Sequence, residues 1–408
     1  MLRHQEYCGL VQIAMFSLAI MVGVFASIPA LSSAELSSTP REETWVTNGA
    51  VFAIVRYGNT IYIGGEFTEV GPNTGGTGQT RNNIAALDAT TGMATTWNPN
   101  ANGSVNVLAV SNDGMTVYAG GWFTNIGGQT RNCIAALDAT TGNASSWNPN
   151  ASGSSPGGGS VNTIFVSSDD STVYLGGWFT NIGGQTRNHI AALDATTGNA
   201  TSWNPNANLP INTLAVTGDD SIIYTGGFFQ TLGLYPRNYI AAIDATTGNA
   251  TSWCPVASDG FYSLLLSSDE LTIYAGGPFS MIGGHSRNGI AAIDATTGNA
   301  TSWDPDANDY VQALAISSDG STVYAGGSFT EIGGQTRNYI AAIDATTGNA
   351  TSWNPDANNN VHSLAISSDG STVYIGGSFT SIGGQGRSYF AEFQTTVTSV
   401  MMNWNQYE

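Results

Sequence analysis

The chain has 408 residues, of which 41% are hydrophobic and 10% are charged, and this composition excludes an intrinsically disordered protein. Its formal net charge of −19, with no lysine in the sequence, argues against binding to nucleic acids and to anionic membrane surfaces. The three cysteines, Cys8, Cys133 and Cys254, occupy unrelated positions, which excludes a disulfide framework and a CxxC metal site.

The first 34 residues are typical of a secretory leader. Arg3 and His4 precede an apolar stretch, residues 9–28, and Pro29 and small residues up to Ala34 follow it. This order predicts a signal peptide over residues 1–34 with cleavage after Ala34. An uncleaved anchor is the alternative, because the apolar stretch approaches the length of a bilayer span. In both cases we expect the rest of the chain to be secreted or at the cell surface.

One sequence motif recurs seven times along the rest of the chain. A Gly-Gly pair ahead of a Phe marks each copy, and successive copies lie 56, 56 and then 50 residues apart. The first glycines of these pairs are Gly64, Gly120, Gly176, Gly226, Gly276, Gly326 and Gly376. Repeats of about 50 residues indicate a propeller or a solenoid.

Each copy contains four short runs that favour β-strands. In one copy, residues 311–317 and 322–329 are apolar runs around the tight-turn pair Asp319-Gly320. A Gly-rich loop over 330–338 leads to a third run at 339–344, and a turn at 345–348 leads to a fourth at 349–353. No stretch of the sequence repeats apolar residues at the spacing of a helix with capping residues at its ends. Each copy therefore predicts one antiparallel sheet, which is one blade of a propeller.

A single sheet cannot bury both faces, and packing blades around an axis solves this problem. We therefore predict an all-β fold, a seven-bladed β-propeller of four-stranded antiparallel blades over residues 42–396, with a C-terminal tail over 397–408. Every copy repeats a Phe, and six copies repeat a Trp in the fourth run: Trp97, Trp147, Trp203, Trp253, Trp303 and Trp353. We expect these rings to pack between sheets as part of the structure.

The last copy lacks its own fourth strand. Gln394 replaces the repeated Asp there, and no Thr-Thr-Gly follows. Either the N-terminal segment with Trp45 or the tail with Trp404 could supply the missing strand. We predict the N-terminal segment, because tails are the parts of a chain that are most often left unpaired.

The repeated motif reads VYAGGxFTxIGGQTRNxIAALDATTGxATSWNP. It resembles the repeats of secreted bacterial and archaeal β-propellers of unknown function, which are related to repeats of fungal cortical polarity markers. The resemblance covers residues 45–394. It implies a propeller and an exported or cell-surface location, and it brings no catalytic residues to transfer.

A weaker resemblance is to the tryptophan-docking repeats of quinoprotein dehydrogenases. Ala136, Asp138, Thr141, Gly142 and Trp147 match that motif in order, but four residues instead of three separate the Gly from the Trp. An extra residue in a strand reverses side-chain facing or adds a bulge. The chain also has no adjacent cysteine pair, so the resemblance does not predict a quinone-dependent enzyme.

The loops between the second and third runs share a face with the segments that enter the next blade. Two insertions, near residues 71–78 and at 152–159, also fall there, and variable loops on a fixed scaffold are typical binding surfaces. The channel entrance varies between copies, and its residues are candidate ligand contacts: Phe52, Asn106, Asn162, Asn212, Tyr262, Gln312 and His362. The alternative is an ordinary water-filled channel.

An arginine recurs in every copy: Arg81, Arg131, Arg187, Arg237, Arg287, Arg337 and Arg387. We expect it to be structural and to pair with the repeated Asp or with loop carbonyl groups, because a partly buried charge needs a partner. The alternative is recognition of anionic glycans by a ring of guanidinium groups.

No metal or cofactor is predicted, and calcium is the alternative. Asp304, Asp306, Asn308 and Asp309 alternate after a Trp as in a calcium loop, but the Glu that closes an EF-hand loop is missing. The histidines occupy unrelated repeat positions. A pair of glycosidase carboxylates could be drawn from Asp259, Asp269, Glu270 and Asp309, but nothing in the sequence distinguishes two of them.

The sequence therefore predicts an exported or cell-surface interaction module that is not an enzyme, with an unknown protein or glycan as its partner. It predicts no nucleic-acid partner and no membrane contact beyond an N-terminal anchor. The alternative is a carbohydrate-binding or carbohydrate-active protein, such as a lectin, glycosidase or lyase, that uses the loop face.

Overall fold

The computed structural model describes residues 35–153 and 159–396, and Glu35–Thr396 forms one compact unit. The elements of this part of the chain are β-strands and turns. Within it, no helix has the length and apolar character needed to cross a membrane. The predicted leader, residues 1–34, and the predicted tail, residues 397–408, lie outside the described residues.

Seven antiparallel sheets repeat the same order of three strands in the described residues. The first strands are Ala50–Tyr57, Val105–Val110, Val161–Val166, Ile211–Val216, Ser263–Leu266, Val311–Ile316 and Val361–Ile366. The second strands are Thr60–Glu66, Thr116–Gly121, Thr172–Gly177, Ile222–Gly227, Thr272–Gly276, Thr322–Gly327 and Thr372–Gly377. The third strands are Ile84–Asp88, Ile134–Asp138, Ile190–Asp194, Ile240–Asp244, Ile290–Asp294, Ile340–Asp344 and Phe390–Thr396.

Strands of two or three residues form a small hairpin within each loop between the second and third strands. The pairs are Glu69–Gly71 with Gln79–Thr80, Asn125–Ile126 with Gln129–Thr130, Asn181–Ile182 with Gln185–Thr186, Thr231–Leu232 with Tyr235–Pro236, Met281–Ile282 with His285–Ser286, Glu331–Ile332 with Gln335–Thr336, and Ser381–Ile382 with Gln385–Gly386. The sequence predicted only a Gly-rich loop for this region. The buried Ile332 explains its order, because it anchors the hairpin to the core beneath.

The turn between the first and second strands is stabilised by an aspartate. Asp319 accepts a hydrogen bond from the Ser317 hydroxyl at 2.6 Å and another from the Ser321 backbone N–H at 3.0 Å. Gly320 follows in the left-handed region with φ of 72°. The Asp-Gly pair therefore forms the tight turn that the sequence predicted.

The first glycine of each Gly-Gly pair allows the next sheet to approach closely. A Cβ at Gly326 would lie 2.4 Å from Val361 Cγ1 in the following sheet, and a Cβ at Gly376 would lie 2.6 Å from Val51 Cγ1. The last sheet therefore packs against the first, and the first strands follow one another in a closed circle. This arrangement is a β-propeller, which confirms the predicted all-β fold.

The predicted fourth strand is much shorter than expected in the first six sheets. In the sixth sheet it is an isolated bridge between Ile343 and Ala350, supported by a bond from Thr351 N to the Ala342 carbonyl oxygen. The chain leaves the sheet after this bridge, and Trp353 packs against the neighbouring seventh sheet. The fourth strand of each of these sheets is therefore reduced to one bridge, because the Trp that follows it packs between sheets.

The repeated Trp residues join successive sheets. Trp303 is 5% exposed, lies at 5.1 Å from the Tyr274 ring centroid, and donates from Nε1 to the Asp344 carbonyl oxygen of the next sheet at 3.0 Å. The other repeated Trp side chains are 3% to 8% exposed: Trp97, Trp147, Trp203, Trp253 and Trp353. Trp147 likewise donates from Nε1 to the Asp194 carbonyl oxygen in the next sheet. The Trp of the motif that resembles the tryptophan-docking repeats therefore also joins two sheets.

The N-terminal segment lies against the seventh sheet. Its strand Glu35–Leu36 pairs with Phe390–Thr396, and Ser37 N donates to the Gln394 carbonyl oxygen at 2.9 Å. The strand lies upstream of the predicted boundary at residue 42. Trp45 is buried in the cluster of the first sheet, where it takes the place that the repeated Trp has in other sheets. The alternative with Trp404 falls outside the described residues.

Candidate functional site

In six of the seven sheets, a bulge in the first strand displaces the candidate ligand residue from the regular alternation of the sheet. The register shifts between Val311 and Ala313, so Gln312 is the extra residue. The first, second, third, fourth and seventh sheets have the same shift. The seven candidates are all half-buried: Phe52, Asn106, Asn162, Asn212, Tyr262, Gln312 and His362. Their role in binding stays a prediction.

Several candidates contact their counterparts in the adjacent sheet. His362 Nδ1 lies 2.7 Å from Gln312 Oε1, and the Phe52 and His362 ring centroids are 5.4 Å apart. Asn162 Nδ2 donates to Asn212 Oδ1 at 3.2 Å. Equivalent residues of successive sheets therefore meet around the axis, as a ring at a channel entrance requires.

Burial disfavours the protonated form of the His362 imidazole. Desolvation by burial lowers its pKa below the usual value. Its Nε2 lies 2.9 Å from Ser378 Oγ, opposite the contact between Nδ1 and Gln312. With the proton on Nδ1, the ring donates to the Gln312 carbonyl oxygen and accepts from the Ser378 hydroxyl, so this side of the entrance is polar without a charge.

A second set of residues borders this ring, at the position after each Gly-Gly pair: Glu66, Trp122, Trp178, Phe228, Pro278, Ser328 and Ser378. Ser328 and Ser378 hydrogen-bond to the candidate residue of their own sheet, and Phe228 packs at 6.0 Å on Tyr262. We name the seven candidates and these seven residues together the channel mouth. They lie on the loop face, the side of the hairpins between second and third strands.

The sequence did not lead to a prediction for any of the seven channel-mouth residues that follow the Gly-Gly pairs, and two of these residues are exposed tryptophans. Trp122 is 47% exposed and Trp178 is 53% exposed, unlike the buried repeated Trp residues. The residues that the copies share do not include this position. The sequence signal for these residues was the variation between copies at this position. An aromatic residue stands there in some copies, and Ser, Pro or Glu stands there in others, within an otherwise nearly constant motif.

The aromatic surface continues around the mouth. The Tyr262 and Tyr310 ring centroids are 6.3 Å apart, and Tyr310 is 45% exposed. Tyr310 also lines a cleft of about 470 Å³ together with Asp306, Asn308, Asp309 and Glu331. The cleft opens beside Gly289, where the other sheets carry a side chain.

The repeated arginines bind backbone carbonyl groups. Arg337 Nη2 donates to the Thr351 carbonyl oxygen at 2.7 Å, and Nη1 donates to that of Thr336 at 2.8 Å. The repeated Asp has other partners, since Asp344 accepts bonds from Thr346 N and Thr347 N. Five further copies bond in the same two ways: Arg81, Arg131, Arg187, Arg237 and Arg287.

Arg387 differs from these six copies because it is only 1% exposed. Its Nε donates to the Phe390 carbonyl oxygen at 3.2 Å, and its Nη2 donates to the carbonyl oxygen of Thr44 in the N-terminal segment. Burial lowers its pKa to about 10. The arginine of the seventh sheet therefore contributes to closing the circle.

The Asx side chains of the segment considered as the calcium alternative have protein partners. Asp304 Oδ2 lies 3.2 Å from Arg287 Nη1, Asp306 Oδ1 accepts from the Asn288 amide, and Asp309 Oδ1 accepts from Tyr310 N. In the described ranges, no group of three His, Cys, Asp or Glu side chains is arranged to hold a metal ion. These Asx residues act as turn residues.

The four carboxylates considered for glycoside hydrolysis are divided between the two ends of the sheets. Asp259 and Asp309 precede first strands, whereas Asp269 and Glu270 lie in a turn at the opposite end. Glu270 accepts a bond from Gly218 N in the neighbouring turn. The fold therefore keeps these pairs at opposite ends of the sheets.

Comparison with known proteins agrees with this architecture. Residues 182–406, more than half of the chain, match a family model named PQQ_2 and described as outer membrane protein assembly factor BamB. Residues 112–140 match a β-propeller domain of unknown function, DUF5122. A search of curated proteins finds no match to the chain.

Proposed function

This chain belongs to the PQQ_2 family, and we propose that it is an exported, seven-bladed β-propeller that binds a partner at its channel mouth without catalysing a reaction. The observation that carries this proposal is the contrast between scaffold and mouth. Gly-Gly, Arg and Trp recur in nearly every sheet, whereas the two mouth positions of each sheet differ in size, polarity and aromaticity. A surface that varies on a repeated scaffold is typical of binding proteins.

The proposed location is the cell surface or the extracellular space, and the proposed partner is a protein or a glycan. The order of residues 1–34 supports export, and the net charge of −19 disfavours nucleic acid and membrane surfaces as partners. The description of the matched family names an assembly factor, which agrees with a binding role. Kinship with the repeats of fungal polarity markers is part of the same proposal.

Two arrays test the proposed function. The protein, expressed from its full chain, is applied to a glycan array and to a random-peptide array. The double variant Asn106→Arg/Gln312→Arg adds two long cationic side chains to the mouth, and we expect it to abolish the signals. The matched control, Thr246→Arg/Thr346→Arg, adds the same charge at exposed turns on the opposite face and should leave the signals unchanged.

Each failure has a different meaning. No signal on either array would refute a binding function. A signal that survives the mouth variant would refute the mouth as its location. Turnover of a polysaccharide, abolished by substitution of one carboxylate, would replace the proposal with the carbohydrate-active alternative.

A further inference from the structure

Five aromatic side chains follow one another around the channel mouth, on the second to sixth sheets: Trp122, Trp178, Phe228, Tyr262 and Tyr310. We name this set the aromatic arc. We propose that the aromatic arc binds an uncharged oligosaccharide chain, whose sugar rings stack on Trp122 and Trp178. This inference rests on the proposed binding function and specifies its ligand.

The backbone at the position after each Gly-Gly pair does not depend on an aromatic side chain. Trp122 N donates to the Ser104 carbonyl oxygen at 2.8 Å, and Ser328 N makes the same bond to Tyr310 at 2.9 Å. The backbone therefore makes the same hydrogen bond whether the residue at this position is Trp or Ser. A ring left half in water at such a position gains nothing from the core, and it is available for a ligand.

The polar partners of the arc suit hydroxyl groups. Asn106, Asn162 and Asn212 lie on the bulges of the three sheets that carry Trp122, Trp178 and Phe228. An amide both donates and accepts hydrogen bonds, as a sugar hydroxyl does. The apolar C–H face of a pyranose matches an indole ring, and its rim of hydroxyl groups matches the neighbouring amides.

The charges of the mouth favour an uncharged ligand. Its fourteen positions include no Lys or Arg, so nothing there attracts sulfate, phosphate or uronate groups. Its ionisable residues are Glu66, Tyr262 and His362. Amides alternate with aromatic rings here, as hydroxyl groups and apolar C–H faces alternate along a sugar chain. A sugar chain fits this alternation better than a peptide does.

The arc is long enough for a chain rather than for one sugar. Ring centroids step from Phe228 to Tyr262 over 6.0 Å and on to Tyr310 over 6.3 Å. Two further sheets extend the arc in the other direction, to Trp178 and Trp122. Affinity should therefore rise with oligosaccharide length, because each added sugar reaches a further ring.

Titration calorimetry and tryptophan fluorescence test the inference on the protein expressed from its full chain. The probes are uncharged hexasaccharides and their disaccharides: β-1,4-glucose, β-1,4-N-acetylglucosamine, β-1,4-xylose and α-1,6-mannose. We expect one hexasaccharide to bind more tightly than its disaccharide and to shift the fluorescence. Trp122→Ala/Trp178→Ala should weaken that binding at least about tenfold, and Trp122→Phe/Trp178→Phe should retain part of it.

The matched control is Met115→Ala/Leu271→Ala, which shortens two exposed side chains in the turns of the opposite face, 71% and 61% exposed. Binding must survive this control. All variants should melt with the wild type, since these side chains are outside the core. Binding that survives loss of both tryptophans overturns the inference, and so does the absence of binding to every uncharged hexasaccharide. If peptides or charged glycans bind instead, the inference fails while the proposed binding function stands.

Discussion

Arg41 of the N-terminal segment and Glu392 of the last strand form an ion pair, with Arg41 Nη1 3.3 Å from Glu392 Oε1. The carboxylate is fully buried, and it also accepts bonds from the Thr44 hydroxyl and the Gln394 amide. The other six sheets carry an alanine at this position. The chain ends are therefore joined by a charged contact that the repeat itself does not contain.

Removing Arg41 should destabilise the propeller strongly. Arg41→Ala leaves the buried Glu392 without its cation, and loss of one partner from a buried pair costs about 3–5 kcal/mol. Adding Glu392→Ala restores the residue of the other sheets and should recover a large part of that loss. Urea unfolding of the two single variants and the double variant measures the coupling.

The exposed pair Arg287–Asp304, at 3.2 Å, is the control, because the Asp304 side chain is 40% exposed. Asp304→Asn should cost less than about 1 kcal/mol. Equal losses for Arg41→Ala and Asp304→Asn would contradict a special role of the buried pair.

Deleting residues 35–48 should lower the thermal midpoint by about 10 °C or more. The deletion removes the strand paired with Phe390–Thr396, the buried Trp45, and the Ser37 carbonyl that accepts from Trp353 Nε1 at 2.8 Å. Loss of a buried Trp alone costs about 3–5 kcal/mol, and each kcal/mol moves the midpoint of a large domain by about 2 °C. Deletion of residues 397–408 removes none of these contacts and should have little effect in calorimetry.

Local sequence signals predicted the elements whose causes are local. The Asp-Gly turn at Asp319 and the repeated strand runs depend on residues next to one another, and they form as predicted. The fourth run was predicted as a short strand, but in the sixth sheet it pairs only at the Ile343–Ala350 bridge. Beyond this bridge Trp353 donates to the Ser37 carbonyl oxygen of the N-terminal segment, and strand propensity does not reveal such a distant partner.

The candidate site was predicted only in part for a similar reason. The variable residue of the first strand was found by comparing copies, but its displacement by a bulge depends on pairing with a Gly-Gly pair. Trp122 and Trp178 looked like more of the packing aromatic residues that the repeat already contains. Their variable position in the repeat distinguishes them from Trp303 in the sequence, but their solvent exposure depends on the neighbouring sheets.

Replacing the repeated arginine by lysine should cost stability, and more so in the last sheet. Arg337→Lys loses one of two bonds to the carbonyl groups of Thr336 and Thr351, because a single ammonium group cannot span both as the guanidinium does. Hydrogen bonds to charged groups contribute about 1.5–3 kcal/mol. Arg387→Lys should lose more, since Arg387 is almost fully buried. Unchanged melting of both variants would refute the structural role of this arginine.

Acid should unfold the protein through its turn aspartates. Six turns between first and second strands and six after third strands hold an Asp whose pKa is lowered: Asp88, Asp113, Asp138, Asp169, Asp194, Asp219, Asp244, Asp269, Asp294, Asp319, Asp344 and Asp369. The Ser367 hydroxyl is the largest cause of lowering at Asp369, whose pKa falls to about 2. At Asp344 the largest cause is the Thr347 backbone N–H.

The sign follows from linkage. A carboxyl group whose pKa is lower in the folded state stabilises that state above its unfolded pKa of about 4, and the contribution is lost as the pH falls through the folded pKa. Buried His189 and His362, with lowered pKa values, act in the same sense between pH 7 and 5. The urea midpoint should therefore decline slightly from pH 7 to 5 and steeply from pH 4 to 2. Asp344→Asn, which keeps an acceptor oxygen but does not titrate, should reduce the steep part, and an unchanged slope would contradict this account.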